Sequence, residues 1–580
     1  MDRRQKIIRI VSGAVLTLAT IATRWPIRSK TFFEFDSINF AVALFRFDPA
    51  QVTPQMPGYI VHVLLGRLCY AITGDLNLAF VLLSLLLSIG SVLFLWRAAA
   101  ALRGERVAAM AAVIWLSTPL FWFHGAINAI YVEEAFYTSA LLYLGIKWLR
   151  STSPSWEVIC FGIVFSLAIG ARQTSLLFFL PATIYLMVKR RPSRRIWSAA
   201  LLCFLALSAA WTLELFRESG GAMHYFELAR SEQNYRTLSV LFGNPWRSQL
   251  DLIAKVLFYS FVVLLPAWFF VISIALFFAP RSTAFISNAS RTREAKFVFL
   301  IAVVPFLFYV IVFFMKAGYL LNVLPGSILV CAVLLDQMAI WLAEQTKKRR
   351  PSLLTRRIIT RNATVLTVIA TALNVVWFLV PWPGTQQSLY DNEDTRNSFV
   401  HGAFNRYEHS GSGVLTLANR AFEYTNVSGI QAVDRLNGAT LTTIDKNNGN
   451  DSGAVLLASW WYRWCYVLLP QVTTYDLELD PFHPGKLWVG RSLDMHRAFL
   501  SIENNPQDSI VEFLSSRPVL LLLRHDRPDF QDVARQVHLV RLPLPEYLDI
   551  YKILDSTFVL KWDDRTFVGH VHPGSKEPSR

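Results

Sequence analysis

The residues able to do chemistry in this chain are few, and they sit in apolar surroundings. Asp36 follows Phe32-Phe33-Glu34-Phe35 and precedes Ser37. A carboxylate at the edge of a low-dielectric layer can act as a general base or hold a cation. It can equally cap the helix that the apolar spacing of 37–46 predicts. Glu34 is the neighbouring acid, and Asp48 before Pro49 opens a turn. Glu133 and Glu134 begin another apolar run, where charge is costly unless paired, solvated or protonated. Plain solvated loop charge is the competing reading. His124, in Phe123-His124-Gly125, offers a proton carrier or a metal ligand, or simply a hydrogen-bonded packing residue. Arg172 lies in Gly170-Ala171-Arg172-Gln173-Thr174, a joint with almost no loop between two apolar runs. Its guanidinium can grip phosphate bidentately or snorkel to lipid headgroups.

What must position these groups is a series of long apolar runs. The chain has 580 residues, 53% hydrophobic and only 17% charged, with mean hydropathy +0.37. A soluble protein carries about a quarter charged residues. A disordered chain, a collagen and a small disulfide scaffold are excluded, and the five cysteines form no plausible disulfide framework. The net charge of +15 would suit nucleic acid, but its placement argues for a membrane. Lys189-Arg190-Arg191 and Lys347-Lys348-Arg349-Arg350 stand between apolar runs near the length that crosses a bilayer. The predicted segments are 8–23, 58–72, 77–96, 107–122, 132–148, 157–170, 174–188, 197–215, 253–279, 297–315, 320–343 and 362–381. The first is not read as a cleaved signal, since Arg24-Trp25-Pro26 follows it rather than a small-residue cleavage site.

Basic loops at 97–106, 147–155, 189–196, 281–296 and 345–361 belong in the cytoplasm by the positive-inside rule, as does the N-terminus. The loops between them and the C-terminal section then face outside. A cytoplasmic N-terminus and an outside C-terminal section need an odd number of crossings, yet twelve segments are counted. The weakest is 58–72, which is short and carries His62 and Arg67. It, or part of 77–96, is expected to be embedded without spanning fully.

Two domains are predicted: a membrane part over 1–381 and an extracytoplasmic α/β domain over 382–580. Pro381-Trp382-Pro383-Gly384 stops the last helix. Beyond it, 414–417, 454–458 and 519–523 are apolar runs of strand length. Ser459-Trp460-Trp461-Tyr462 opens a dense aromatic stretch suited to core packing or to stacking on a glycan. Two outside segments, 24–57 and 216–252, are longer than a connection requires, and long loops around a rigid scaffold often build the working site.

The first of these carries a resemblance. Phe35-Asp36-Ser37-Ile38-Asn39-Phe40-Ala41, followed by Pro54-Gln55-Met56-Pro57-Gly58-Tyr59, resembles the first outside loop of GT-C membrane glycosyltransferases, in the branch of protein O-mannosyltransferases and lipid A aminoarabinose transferases. Lys316-Ala317-Gly318-Tyr319-Leu320-Leu321-Asn322-Val323-Leu324-Pro325 is similar to the family's late Tyr-Leu-x-x-x-Pro segment after a basic residue. The chain departs from the usual paired acids at Asp36-Ser37, which leaves the second acidic role open. The resemblance implies a GT-C-like α-helical polytopic membrane protein with about 11–12 membrane helices and the α/β domain at its end. It implies a sugar donor on polyprenyl phosphate, used on the outer face. Asp36 would be the base, with Glu133 and Glu134 as further acids near the sugar. Arg172, Lys316, Tyr319, His124 and Tyr59 would bind substrate, Lys316 neutralising the carrier phosphate and Tyr319 donating a hydrogen bond to it. As a bare sequence, Lys316 also reads as an interface anchor.

No Walker loop, His-Glu-x-x-His or paired Cys-x-x-Cys is present. Energy must therefore come from a pre-activated donor or a gradient. No Asp-x-Asp occurs in the first loop, so no metal ligands are assigned and a divalent metal stays open. The expected function is inverting sugar transfer to a lipid, glycan or protein acceptor, in contact with membrane lipids and without nucleic acid. A transporter or lipid flippase is the alternative, since polar residues within the membrane suit it too. A membrane-anchored binding protein working through its tail is a third reading.

Overall fold

A computed structural model of the chain describes residues 3–49, 53–238, 253, 256–257, 259–260, 292–312, 316–349, 355–380, 425–448, 453–458, 469, 472–477, 486–491, 499–504, 510–524, 530–543, 548–562 and 565–572. It divides into two compact units. The first takes residues 1–29, 56–386 and 399–430; the second takes 30–55, 387–398 and 431–580.

The first unit is helical. Its helices begin with α1 (Arg3–Arg24); the second unit's loop supplies α2 (Phe35–Ala43). There follow α3 (Ile60–Thr73), α4 (Leu76–Arg103), α5 (Glu105–Ser117), α6 (Pro119–His124) and α7 (Tyr131–Arg150). Next come α8 (Trp156–Ala171), α9 (Ser175–Lys189), α10 (Arg194–Glu218) and α11 (Ala222–Leu238). Three more helices run over Arg293–Ile311, Leu324–Arg349 and Thr355–Leu379, with a 3₁₀ turn at Ala317–Asn322. Among the described residues six helices are long and apolar enough to cross a bilayer. This is an integral membrane protein. Most of the run 253–279, and the strand expected at 414–417, lie outside the described residues.

Local chemistry marks the helix ends. Asp75 accepts from the Leu78 amide at 2.7 Å and starts α4, while Gly74, at φ 64°, closes α3 in the left-handed region. The run 107–122 is broken rather than continuous, because Thr118 leaves helical geometry ahead of Pro119. Small residues let helices approach. Ser91 of α4 bonds the Ala135 carbonyl and Ser139 on α7 and receives the Trp115 indole N–H from α5, all within 3.2 Å.

Helix α3 covers the short segment 58–72, which was expected to be embedded without spanning fully. Val61 touches the site of a Cβ on Gly170, at the C-terminal end of α8. Arg67 makes a two-pronged pair with Glu218, the last residue of α10, at 2.8 and 3.3 Å. His62 stacks on Phe80, one turn into α4, and meets Glu133 in the first turn of α7. Every one of these contacts falls at the same end of the neighbouring helices, so α3 lies across that end instead of running back through the bundle.

The second unit holds a seven-stranded mixed sheet in the order β4-β3-β2-β1-β6-β8-β7 and a three-stranded sheet in the order β5-β10-β9. The strands are β1 (Val455–Ala458), β2 (Thr473–Asp476), β3 (Lys486–Arg491), β4 (Phe499–Asn504) and β5 (Ile510–Ser515). The others are β6 (Leu520–Arg524), β7 (Leu539–Leu542), β8 (Leu548–Ile553), β9 (Thr557–Trp562) and β10 (Arg565–Val571). Strands β1 and β6 pair in parallel, Leu456 opposite Leu520, at the centre of the large sheet. Burial on both faces is why they read as unbroken apolar runs. In β9, by contrast, exposed and buried residues alternate, so Phe558, Leu560 and Trp562 face the core.

Candidate functional site

The site is built on connections at one end of the first unit's helices. Glu133 and Glu134 open α7, and their side chains part. Glu133 is clamped: His62 Nδ1 donates to Oε2 at 2.8 Å and the Tyr137 hydroxyl to Oε1 at 3.0 Å. His62 and Glu133 are each 1% exposed. That hydrogen bond sets the tautomer of the ring.

Glu134 forms a buried ion pair with Nη1 of Arg172. Arg172 is the residue after α8, in extended backbone, so its side chain is set by the helix end and not by a mobile loop. The guanidinium carbon lies 4.3 Å from the centre of the Tyr319 ring. Tyr319 in turn stacks on Tyr309 with centroids 5.5 Å apart and meets Tyr131 edge-on at 5.5 Å. Tyr131 is edge-on to His124 at 5.3 Å. An arginine over one aromatic face is fixed in plane and keeps its remaining N–H groups pointing outward along that plane.

The Lys316–Asn322 segment closes this row. Lys316 precedes the 3₁₀ turn, and Asn322 at its other end accepts from the Thr138 hydroxyl at 2.7 Å. Gly318 is there because nothing larger fits: a Cβ on it would stand 2.5 Å from the Tyr131 ring and 3.0 Å from His124 Nε2. Gly318→Ala is expected to force those rings apart and lower the stability of the helical unit by about 1–3 kcal/mol, read as a lower melting temperature in detergent. An unchanged melting temperature would show that the turn has slack.

His124 donates through Nδ1 to the Leu120 carbonyl, 2.9 Å away. Burial pushes its imidazole down to about 4, and the nearby Lys316 charge adds to that shift. It therefore stays neutral where exposed histidines titrate. Tyr59 occupies the left-handed region, at φ 45° and ψ 41°, at the start of α3. For a bulky residue that conformation costs about 1–3 kcal/mol. Two residues before it, the Pro57 carbonyl receives the Gln173 amide at 3.0 Å and the Tyr225 hydroxyl at 3.1 Å.

Of the residues singled out in the sequence, Glu133, Glu134, Arg172, Tyr319, His124, Lys316 and Tyr59 lie in the first unit. Glu134, Arg172, Tyr319, Tyr131 and His124 form a row of successive pairwise contacts. Asp36 lies in the second unit, in the first turn of α2. The cap position is Glu34, whose carbonyl takes the Ser37 N–H at 3.0 Å, so Asp36 is not the cap. Its side chain is half-buried. His62, Tyr137, Tyr131 and Tyr309 were missed. Among the described residues no three His, Cys, Asp or Glu side chains gather as metal ligands. The aromatic stretch from Ser459 lies outside the described residues.

Residues 55–212 match the family described as dolichyl-phosphate-mannose-protein mannosyltransferase. Among solved structures, ArnT from Cupriavidus metallidurans bound to undecaprenyl phosphate superposes with a TM-score of 0.53 at 12% identity, over 95% of this chain and 98% of that one. The chain has the GT-C fold. Weaker likenesses are the same protein in its apo state, at TM-score 0.47 and 13% identity over 94% and 97% of the chains, and the apo oligosaccharyltransferase of Archaeoglobus fulgidus. The latter has a TM-score of 0.42 at 11% identity, over 73% of this chain and 65% of that one. No curated protein matches the sequence. The GT-C match spans almost the whole length of both chains, the tail with its sheets included.

Proposed function

We propose that this chain is an integral-membrane glycosyltransferase that moves a sugar from a polyprenyl-phosphate carrier to an acceptor hydroxyl on a lipid, glycan or protein. The observation that carries the reading is the buried arginine on an aromatic floor, within a GT-C fold whose solved example binds undecaprenyl phosphate. Among the described residues Glu134 takes only Nη1 of Arg172, so the guanidinium keeps further donors for phosphate oxygens. Lys316 adds a second charge, and the hydroxyls of Tyr319 and Tyr59 are assigned as hydrogen-bond donors. Neutral His124, edge-on to Tyr131, is assigned to the same substrate-binding group.

Asp36 is assigned as the base. Its carboxylate takes the acceptor's proton as the acceptor oxygen bonds to the anomeric carbon. The bond from that carbon to the phosphate oxygen breaks, and the electron pair leaves with polyprenyl phosphate. Arg172 and Lys316 stabilise the charge that builds there. A single in-line displacement inverts the anomeric centre. Glu134 aims Arg172, and Glu133, fixed by His62 and Tyr137, completes the acidic rim. The basic loops assign 1–381 to a membrane domain with a cytoplasmic N-terminus, and 382–580 to an extracytoplasmic domain, with chemistry on the outer face.

The test is the full-length protein in vesicles holding labelled undecaprenyl-phosphate-linked mannose, glucose or aminoarabinose, with envelope lipids, glycans and peptides as acceptors. Label is expected to leave one carrier and reach an acceptor with the opposite anomeric configuration. Label that crosses the bilayer still attached to its carrier would overturn the proposal in favour of transport.

A further inference from the structure

A second cluster, distant in sequence from the arginine site, bears on Asp36. Asp434 and Asn437 are three residues apart on the helix Val427–Asn448 and so share one face. Both oxygens of Asp434 lie 3.0 Å from the Lys30 amide nitrogen, and Oδ1 also accepts from the Thr31 amide and hydroxyl at 3.0 Å. The Asn437 amide donates to the Thr31 hydroxyl and to the Phe32 carbonyl, each at 3.0 Å. Two side chains thus fix the backbone at three consecutive residues. Phe32 and Phe33 then bury completely or nearly so, and the Glu34 carbonyl starts α2. No glycine interrupts the chain from Lys30 to Asp36.

The Asp434 carboxylate spends its acceptor sites on these donors, so it is poorly placed to serve as a base or a metal ligand. We infer that Asp434 and Asn437 are positioning residues for Asp36: the helix from the tail sets where the first loop presents its acid. A base displaced by about 1 Å loses roughly 100-fold in rate. This rests on the reading of Asp36 as the base, and it gives the tail a task, that of holding the first loop in register.

The experiment uses the full-length protein. In Asp434→Ala, amides of 30–47 are expected to exchange hydrogen faster while those of β6 keep their protection. Turnover of the lipid-linked sugar accepted by the wild type should fall about 100-fold in kcat with KM for that donor little changed. Asp434→Asn, which keeps one accepting oxygen, should recover part of the loss. In an Asp36→Asn background the same Asp434→Ala change should cost little more. A full further loss in that background, or unchanged exchange at 30–47, would overturn the inference. Wild-type turnover by Asp36→Asn alone would instead remove the reading of Asp36, and the exchange data would still judge the anchoring. If Asp434→Ala does not fold, Asn437→Ala carries the same comparisons.

Discussion

Arg172→Ala is expected to cost the protein both its fold margin and its activity, and a second substitution separates the two losses. Removing the guanidinium leaves Glu134 buried and without its cation, at about 3–5 kcal/mol. Arg172→Ala with Glu134→Gln removes the stranded charge as well, so most of the melting temperature should return. Turnover should not. The amide cannot replace a planar fork of donors at the departing phosphate, and loss of such preorganised donors costs about 100- to 1,000-fold. Arg172→Lys should keep the pair with Glu134 and the fold yet lose most turnover, because an ammonium neither stacks on Tyr319 in the same way nor grips two phosphate oxygens. Recovery of turnover in the double variant would show that Arg172 serves folding only.

Asp36→Asn should leave the fold nearly untouched, since Asp36 is half-buried in the first turn of α2 and the helix is begun by the Glu34 carbonyl. Its effect should fall on kcat, by about 100- to 10,000-fold, the range that a positioned general base supplies. KM for the lipid-linked donor should change little, because the assigned role is toward the acceptor. Asp36→Glu should fall between, with the carboxylate retained but displaced. Steady-state rates with a fixed acceptor and varied donor separate these outcomes. An Asp36→Asn protein with normal kcat would move the base elsewhere, and Glu34 would be the first place to look.

The long helices were readable because lipid demands unbroken apolar length, and the central strands because burial on both faces leaves Leu456-Leu457 and Leu521-Leu522 without alternation. Acids and cations in such runs are conspicuous, which is how Glu133, Glu134 and Arg172 stood out. Their pairing was not readable. Glu134 meets Arg172 across 38 positions, and no local pattern tells which of two adjacent glutamates turns toward the arginine and which toward His62. Tyr309 and Tyr137 were hidden among the aromatics of ordinary packing. The lie of α3 was suspected from its length and from His62 and Arg67, but only Glu218 and Glu133, in other helices, explain why those residues are tolerated. The break at Thr118 was marked by Pro119 and read through as part of a longer run.

The bonds from Asp434 to Lys30 join positions 404 residues apart. Ribosomes add about 5–20 residues each second, so the first loop waits on the order of 20–80 s for its anchor to be made. During that interval most of the hydrophobic segments can already enter the lipid, while the acid-bearing loop lacks the bonds that Asp434 and Asn437 supply. With Asp36 as the proposed base, a truncated product of stalled translation is expected to enter the lipid but to turn over far more slowly than the complete chain.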